Sequence, residues 1–352
     1  MEIKMTPLLD SIRLLDISDE EYFGSGYRNY ISNSRLKLMN PEQGGSPELY
    51  KLGLGSTECS DSLYFGSAVH EMVLQPNDFM VAPITTRPTA KLGFMADALY
   101  KSFAEKGEVT DEDVINASNK IDYYKGKMTT DRIQFVKTSC IDYLNGRRDW
   151  ESKMQGDSRE FIYLDSKSFN KLDLCLASVK SNENIQKLLH PQGILETPIS
   201  LNEATLLMDV IATVDGQEVK LQLKAKLDNL SIDLENNIIT LNDLKTTGHI
   251  LTDFGTGSFV RYHYARQMAM YLWMLKLYAQ KTYNLEHSKM YANMMLVSTI
   301  PDYRSGLYRC HNQEIADGFR EFKRLLRMVA YCEVYGYDGG LGANIDGSAF
   351  DL

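Results

Sequence analysis

The sequence predicts an α/β protein: a mixed central sheet flanked by helices, with a helical insertion ahead of the strands. Three observations predict it. Near residue 194 the spacing of apolar residues changes from about 3.6 to 2. Four strand-like runs then follow in succession, and a long amphipathic helix comes next, ahead of one more strand and a final helix.

In chain order, residues 1–61 read as short helical pieces around a Gly-, Ser- and Pro-rich loop, NPEQGGSPELYKLGLGSTECSD. The run SLYFGSAVHEMVL (62–74) has Val69, Met72 and Val73 as apolar positions and Ser67 as an N-cap, which predicts a buried helix carrying His70 and Glu71. Residues 95–190 are helical and polar, and Thr110 with Asp113 forms a capping-box pattern. The strand candidates are ILETPISL (194–201), ATLLMDVIATVD (204–215), VKLQLKAKLDNLSID (219–233) and NNIITLNDLKTT (236–247). A helix over 259–281, a strand over 290–300 and a helix over 312–334 complete the series. This gives an N-terminal segment, one domain over 62–334 containing the 95–190 insertion, and a Gly-rich tail, 335–352, expected to be mobile.

Composition narrows the classes. With 43% hydrophobic and 24% charged residues the chain has the balance of a soluble globular protein. No run approaches the roughly 18 apolar residues of a spanning helix, and the N-terminus lacks a leader pattern, so no membrane association and a cytoplasmic location are expected. Cys59, Cys140, Cys175, Cys310 and Cys332 are scattered singly, which suits buried thiols and excludes closely spaced zinc or iron-sulfur frameworks. A net charge of −9 requires that any polyanionic partner meet a local basic face.

In VKLQLKAKLD the residues Val219, Leu221, Leu223, Ala225 and Leu227 point one way, and Lys220, Gln222, Lys224, Lys226 and Asp228 the other. In the next strand Asp243 and Lys245 share one face, roughly 7 Å apart along the chain. Two carboxylates on neighbouring strands beside an ammonium suit metal-assisted phosphodiester hydrolysis. The carboxylates hold a hard cation, and the ammonium orients water or offsets phosphorane charge. A lone acidic-x-Lys carries little, because Glu2/Lys4, Glu151/Lys153, Asp165/Lys167, Glu218/Lys220 and Glu321/Lys323 repeat it and are ordinary surface pairs. The apolar strand around Asp243, the preceding strand ending in Asp228 and the helix starting near Arg261 set this pair apart.

The runs FGSAVHEMVLQP, LKAKLD, LNDLKTT and RYHYARQMAMYLW together resemble the RecE-type phage and prophage exonucleases of the PD-(D/E)XK superfamily, relatives of the RecB nuclease domain. The resemblance spans about residues 62 to 280. It implies a restriction-endonuclease-like fold with a GxxxH helix, Gly66 and His70, whose histidine binds metal. Asp228 and Asp243 are implied as metal-binding carboxylates, Lys245 as the catalytic lysine, Gln267 and Tyr271 as the QxxxY motif, and Glu196 as the glutamate ahead of the first aspartate. Mg2+ or Mn2+ is the implied cofactor. Double-stranded DNA is the implied substrate, digested 5′ to 3′ from an end to 5′-mononucleotides with a 3′ single strand left for recombination. A ring-shaped homo-oligomer, a single-strand annealing protein as partner, and a bacterial host cytoplasm come with it.

The family segment before the first aspartate tends to be Arg-rich, where this chain has Lys224 and Lys226, which keep charge and lose the bidentate fork. The four cysteines of the iron-sulfur relatives are lacking. Lys224, Lys226, Arg261 and Arg266 are the expected phosphate contacts. Two alternatives remain: a non-catalytic DNA-binding or interaction module on this fold, and an endonucleolytic or structure-specific nuclease of the same superfamily.

Overall fold

The computed structural model describes residues 3–53, 60–191 and 199–338. The chain divides into two compact units: Met1–Ser56, Asn182–Ile300 and Ser305–Leu352 form the first, Thr57–Ser181 and Pro301–Arg304 the second. Among the described residues there are eight strands: β1 (Ile3–Leu15), β2 (Phe79–Pro83), β3 (Glu160–Leu164), β4 (Ile199–Val214), β5 (Gln217–Asp233), β6 (Ile238–Thr247), β7 (Lys289–Ser298) and β8 (Ser305–Arg309).

The first unit is a mixed six-stranded sheet, in the order β1-β4-β5-β6-β7-β8, with helices against it. Only β6 and β7 run parallel. Asp215 and Gly216, both at positive φ, make a two-residue turn between β4 and β5. Such a turn matches strand twist and fixes register, starting from Val214 opposite Gln217. The expected fold class is therefore what the chain adopts.

Several element boundaries differ from expectation. β1 was not anticipated: Pro7 and the run Leu8-Leu9-Asp10 break its alternation. An edge strand tolerates proline, and β1 is an edge, with a register shift between Leu8 and Arg13. The runs 194–201 and 204–215 belong, in their described part, to the single strand β4. The helix Asp61–Leu74 starts earlier than expected, with Ser60, not Ser67, accepting from Leu63 N at 3.2 Å as N-cap. The helix expected over 259–281 is Tyr264–Tyr283, because His263 at φ 54 interrupts it after a π-type turn at Gly255–Phe259. The tail beyond 338 lies outside the described residues.

Helix Tyr264–Tyr283 and helix Asn312–Tyr335 pack against each other and share the sheet's hydrophobic core. Their closeness depends on Gly318, where a Cβ would lie 2.2 Å from the Ala265 carbonyl. The second unit has its own core, built by helices Ala90–Lys106, Asp111–Ile121 and Thr130–Lys153 beside the parallel pair β2-β3. The Thr110–Asp113 capping box forms there as expected. No described helix is long and apolar enough to cross a membrane.

Candidate active site

β5 and β6 part company at the site. Their pairing ends at Asn229 opposite Asn242, while β6 goes on pairing with β7 as far as Thr247 and Ser298. β5 instead exchanges bonds with Ile31: Lys224 N donates to Ile31 O (3.0 Å), and Ile31 N donates to Gln222 O (2.7 Å). Asp228 and Asp243 occupy the next register position, where the strands separate. The Asp228 carboxylate takes over the missing backbone bond, accepting from Leu244 N at 2.8 Å.

Glu203 of β4 extends this row. Eleven residues back from Val214 and eleven on from Gln217 bring it opposite Asp228. The two carboxylates offer oxygens within 4.8 Å of each other, and both residues are buried. Glu203 sits at φ 54, which for a non-glycine costs about 1–3 kcal/mol. Facing like charges on paired strands adds a further penalty. Lys226 answers part of it, bonding Glu203 Oε2 at 2.7 Å and also Asp19.

Asp243 is 1% exposed. It accepts from Gln267 Nε2 at 2.7 Å and pairs with Lys245 Nζ at 2.5 Å. Burial alone would lower the Lys245 pKa, but the charges of Asp243 and Asp228 outweigh it and hold the ammonium above the ordinary lysine range. Tyr271, one turn on from Gln267, is buried. Burial first, then Tyr22, Asp243 and Asp228, keep its hydroxyl protonated. The sequence thus located Asp228, Asp243, Lys245 and Gln267, which the fold brings together.

One register step away, on the opposite face, runs a chain of asparagines across four strands. Asn229 donates to Asn202 (2.8 Å), Asn242 to Asn229 (2.6 Å) and Asn293 to Asn242 (2.8 Å). Asn229, Asn242 and Asn293 are buried. A one-residue slip would break every one of these bonds, so the ladder holds the register that aligns Glu203, Asp228 and Asp243.

Glu196 lies outside the described residues. His70 is half-buried on the helix Asp61–Leu74 of the second unit. Arg261 is exposed, as a phosphate contact requires. Arg266 is a correction: it is 1% exposed, and its guanidinium bonds Asn33, Gln43 and Glu321 (each 2.8 Å), so it braces the helix start from inside. Lys226 is committed to Glu203 and Asp19, and Lys224 is buried.

Glu203 was missed, although its signal was present. The Asp-Gly pair at 215–216 between two alternating runs announces a two-residue hairpin, and counting outward from it pairs Glu203 with Asp228.

Glu203 and Asp228, whose oxygens come within 4.8 Å of each other, could hold a divalent cation, with Asp243 on the neighbouring strand β6. Their donors are all carboxylate oxygens, which suit Mg2+ or Mn2+, and a cation would offset the facing charges.

No family model matches the chain, and no curated protein does. Among solved structures, the crystal structure of a protein from Eubacterium rectale, described as a "putative exonuclease", is similar. It is 14% identical, the match covers 92% of this chain and 88% of that one, and the TM-score is 0.47.

Proposed function

We propose that the chain is a metal-dependent deoxyribonuclease that digests duplex DNA from an end. The observation that carries the reading is the row Glu203, Asp228 and Asp243, with Lys245 beside it, at the point where β5 and β6 separate. The fork sets buried carboxylates beside a charged lysine.

Bound there by Asp228, Asp243 and Glu203, Mg2+ or Mn2+ would polarise the phosphoryl oxygen and lower the pKa of an attacking water. The sequence motif adds His70 as a candidate ligand. Lys245, held protonated, donates to a non-bridging phosphate oxygen and offsets the charge that develops as water adds and the P–O bond breaks. Gln267 fixes the Asp243 carboxylate through its amide. Tyr271, kept protonated, adds no charge beside the carboxylates. Arg261 meets a backbone phosphate. The 5′ to 3′ polarity, the ring assembly and the annealing partner rest on the sequence resemblance.

The test is digestion of end-labelled linear and covalently closed duplexes with Mg2+, Mn2+ or EDTA. Linear DNA should be degraded with metal only. Efficient cutting of closed circles would remove the end requirement, and undiminished activity in EDTA would remove the metal.

A further inference from the structure

Next to β5 lies a cleft of roughly 600 Å³ whose charged lining, among the described residues, is entirely basic: Arg28, Arg35, Lys51 and Lys224, joined by Ser34 and the ring of Phe23. In a chain of net charge −9 this is a local reversal of sign. Lys224 is 5% exposed; its ammonium donates to the Tyr22 carbonyl at 2.7 Å and lies 4.0 Å from the Tyr22 ring centre. No carboxylate pairs with Lys224, Arg28 or Arg35 among the described residues. Arg35 Nη1 bonds the Arg28 carbonyl at 3.0 Å, and its buried Nε has no partner among those residues. Lys51 alone has a counter-charge, Asp338 at 3.6 Å on the surface.

Burying an ammonium beside a guanidinium without a carboxylate is costly, and the cost persists where a ligand supplies the anion. The cleft is also built firmly, because the Ile31 bonds tie its wall to β5. Lys224 and Asp228 point from the same face of β5, four residues or roughly 13 Å apart. That distance is about four base steps at ~3.4 Å each. Phe23, 67% exposed at the rim, offers a ring on which a base can stack.

We propose that this cleft binds a backbone phosphate of the nucleic-acid strand whose scissile bond lies at Asp228, with Lys224, Arg35 and Arg28 as its contacts. This rests on the nuclease reading for the position of the strand, while the anion site itself does not need it. Burial, reinforced by Arg35, draws the Lys224 pKa down to about 8, and an anion would reverse that shift.

The test is binding of a fluorescent oligonucleotide, without divalent metal, to wild type, Arg28→Gln, Arg35→Gln and Lys224→Met. Inorganic phosphate and a nucleoside monophosphate serve as competitors. Arg28 is exposed, so its variant folds independently of the outcome. Each substitution should weaken oligonucleotide binding roughly tenfold, whatever the sequence, and lower the salt dependence by about one counterion. Equal affinity across the folded variants overturns the proposal. So does loss of phosphate or nucleotide competition in the variants with strand affinity intact, which would mark a small-molecule phosphate site. Weakened strand binding in a protein that cleaves nothing upholds the cleft and removes the nuclease reading. Cleavage with variant-independent binding does the reverse.

Discussion

The sheet unit and the helical unit both bury ionised groups, but they handle charge differently. In the helical unit two arginines meet two acids. Arg87 bonds Asp97 at 2.8 Å, Arg147 bonds Glu151 at 3.0 Å, and Tyr143, Tyr100 and Tyr163 fill the remaining acceptor positions. Arg147 also lies over the rings of Tyr100 and Tyr163, 3.8 and 4.0 Å from their centres. In the sheet unit three carboxylates meet two lysines, one of which also serves Asp19, and a few residues along β5 a basic cleft has no carboxylate among the described residues of its lining. Balanced burial fixes a fold. Imbalance of both signs on one strand suits a ligand that brings a cation to one place and an anion to the other.

The largest effects should separate these roles. Asp243→Asn removes a ligand from the row and should reduce cleavage by more than about 10³-fold, while duplex binding holds or tightens because a negative charge near phosphate is gone. Mg2+ or Mn2+ at about 100 times its Kd should stabilise wild type by ~2.7 kcal/mol and Asp243→Asn by much less. Wild-type turnover in Asp243→Asn would make the pair a structural one, like those of the helical unit. Arg87→Ala should instead cost about 3–5 kcal/mol of stability, since it leaves a mostly buried Asp97 short of its nearest cation. Denaturation with and without metal reads both. If Arg87→Ala were neutral, the helical network would not be what holds that unit.

Lys245→Ala comes next, with an expected loss of at least about 100-fold in kcat and retained metal binding by calorimetry. Loss of metal binding would show that Lys245 organises the carboxylates instead of acting on phosphate. Asn242→Leu should be smaller and mainly structural. It strands the Asn229 acceptor and the Asn293 donor, at about 1–3 kcal/mol, and should weaken metal affinity through the shared register. Unchanged metal affinity in the folded protein would detach the ladder from the site.

Much of this was legible in the sequence because strands β5 and β6 are long and alternate cleanly, so Asp228, Asp243 and Lys245 could be assigned to faces before any pairing was known. Gln267 came from the resemblance, through the QxxxY motif. Glu203 needed the hairpin count, which links positions far apart in sequence, and its residue type alone at a strand start reads as surface. Arg266 was misjudged because a guanidinium at a helix start looks the same in sequence whether it faces phosphate or, as here, Asn33, Gln43 and Glu321. The basic cleft was illegible: Arg28, Arg35 and Lys51 reach Lys224 only through the pairing of Ile31 with β5, which no local pattern announces.

The smallest expected effect concerns Lys224 and runs against intuition, because removing this lysine should stabilise the protein. Burial, with the charge of Arg35, holds its pKa at about 8 in the folded chain, against about 10.4 for an unperturbed lysine. Between those values the unfolded chain binds more protons than the folded one, so wild-type stability should rise as pH increases from about 8 toward 10. Below pH 8 the whole penalty is present. Lys224→Met removes it but leaves the Tyr22 carbonyl without its donor, a loss of about 1 kcal/mol. The net expectation at pH 7 is a gain of roughly 1–2 kcal/mol, with the pH slope between 8 and 10 flattened. Urea denaturation of both proteins at pH 7, 8, 9 and 10 measures it. A destabilised Lys224→Met, or one that keeps the wild-type slope, would mean that the cleft's positive charge is already compensated inside the fold, and the contrast with the balanced helical unit would hold for the carboxylate row alone.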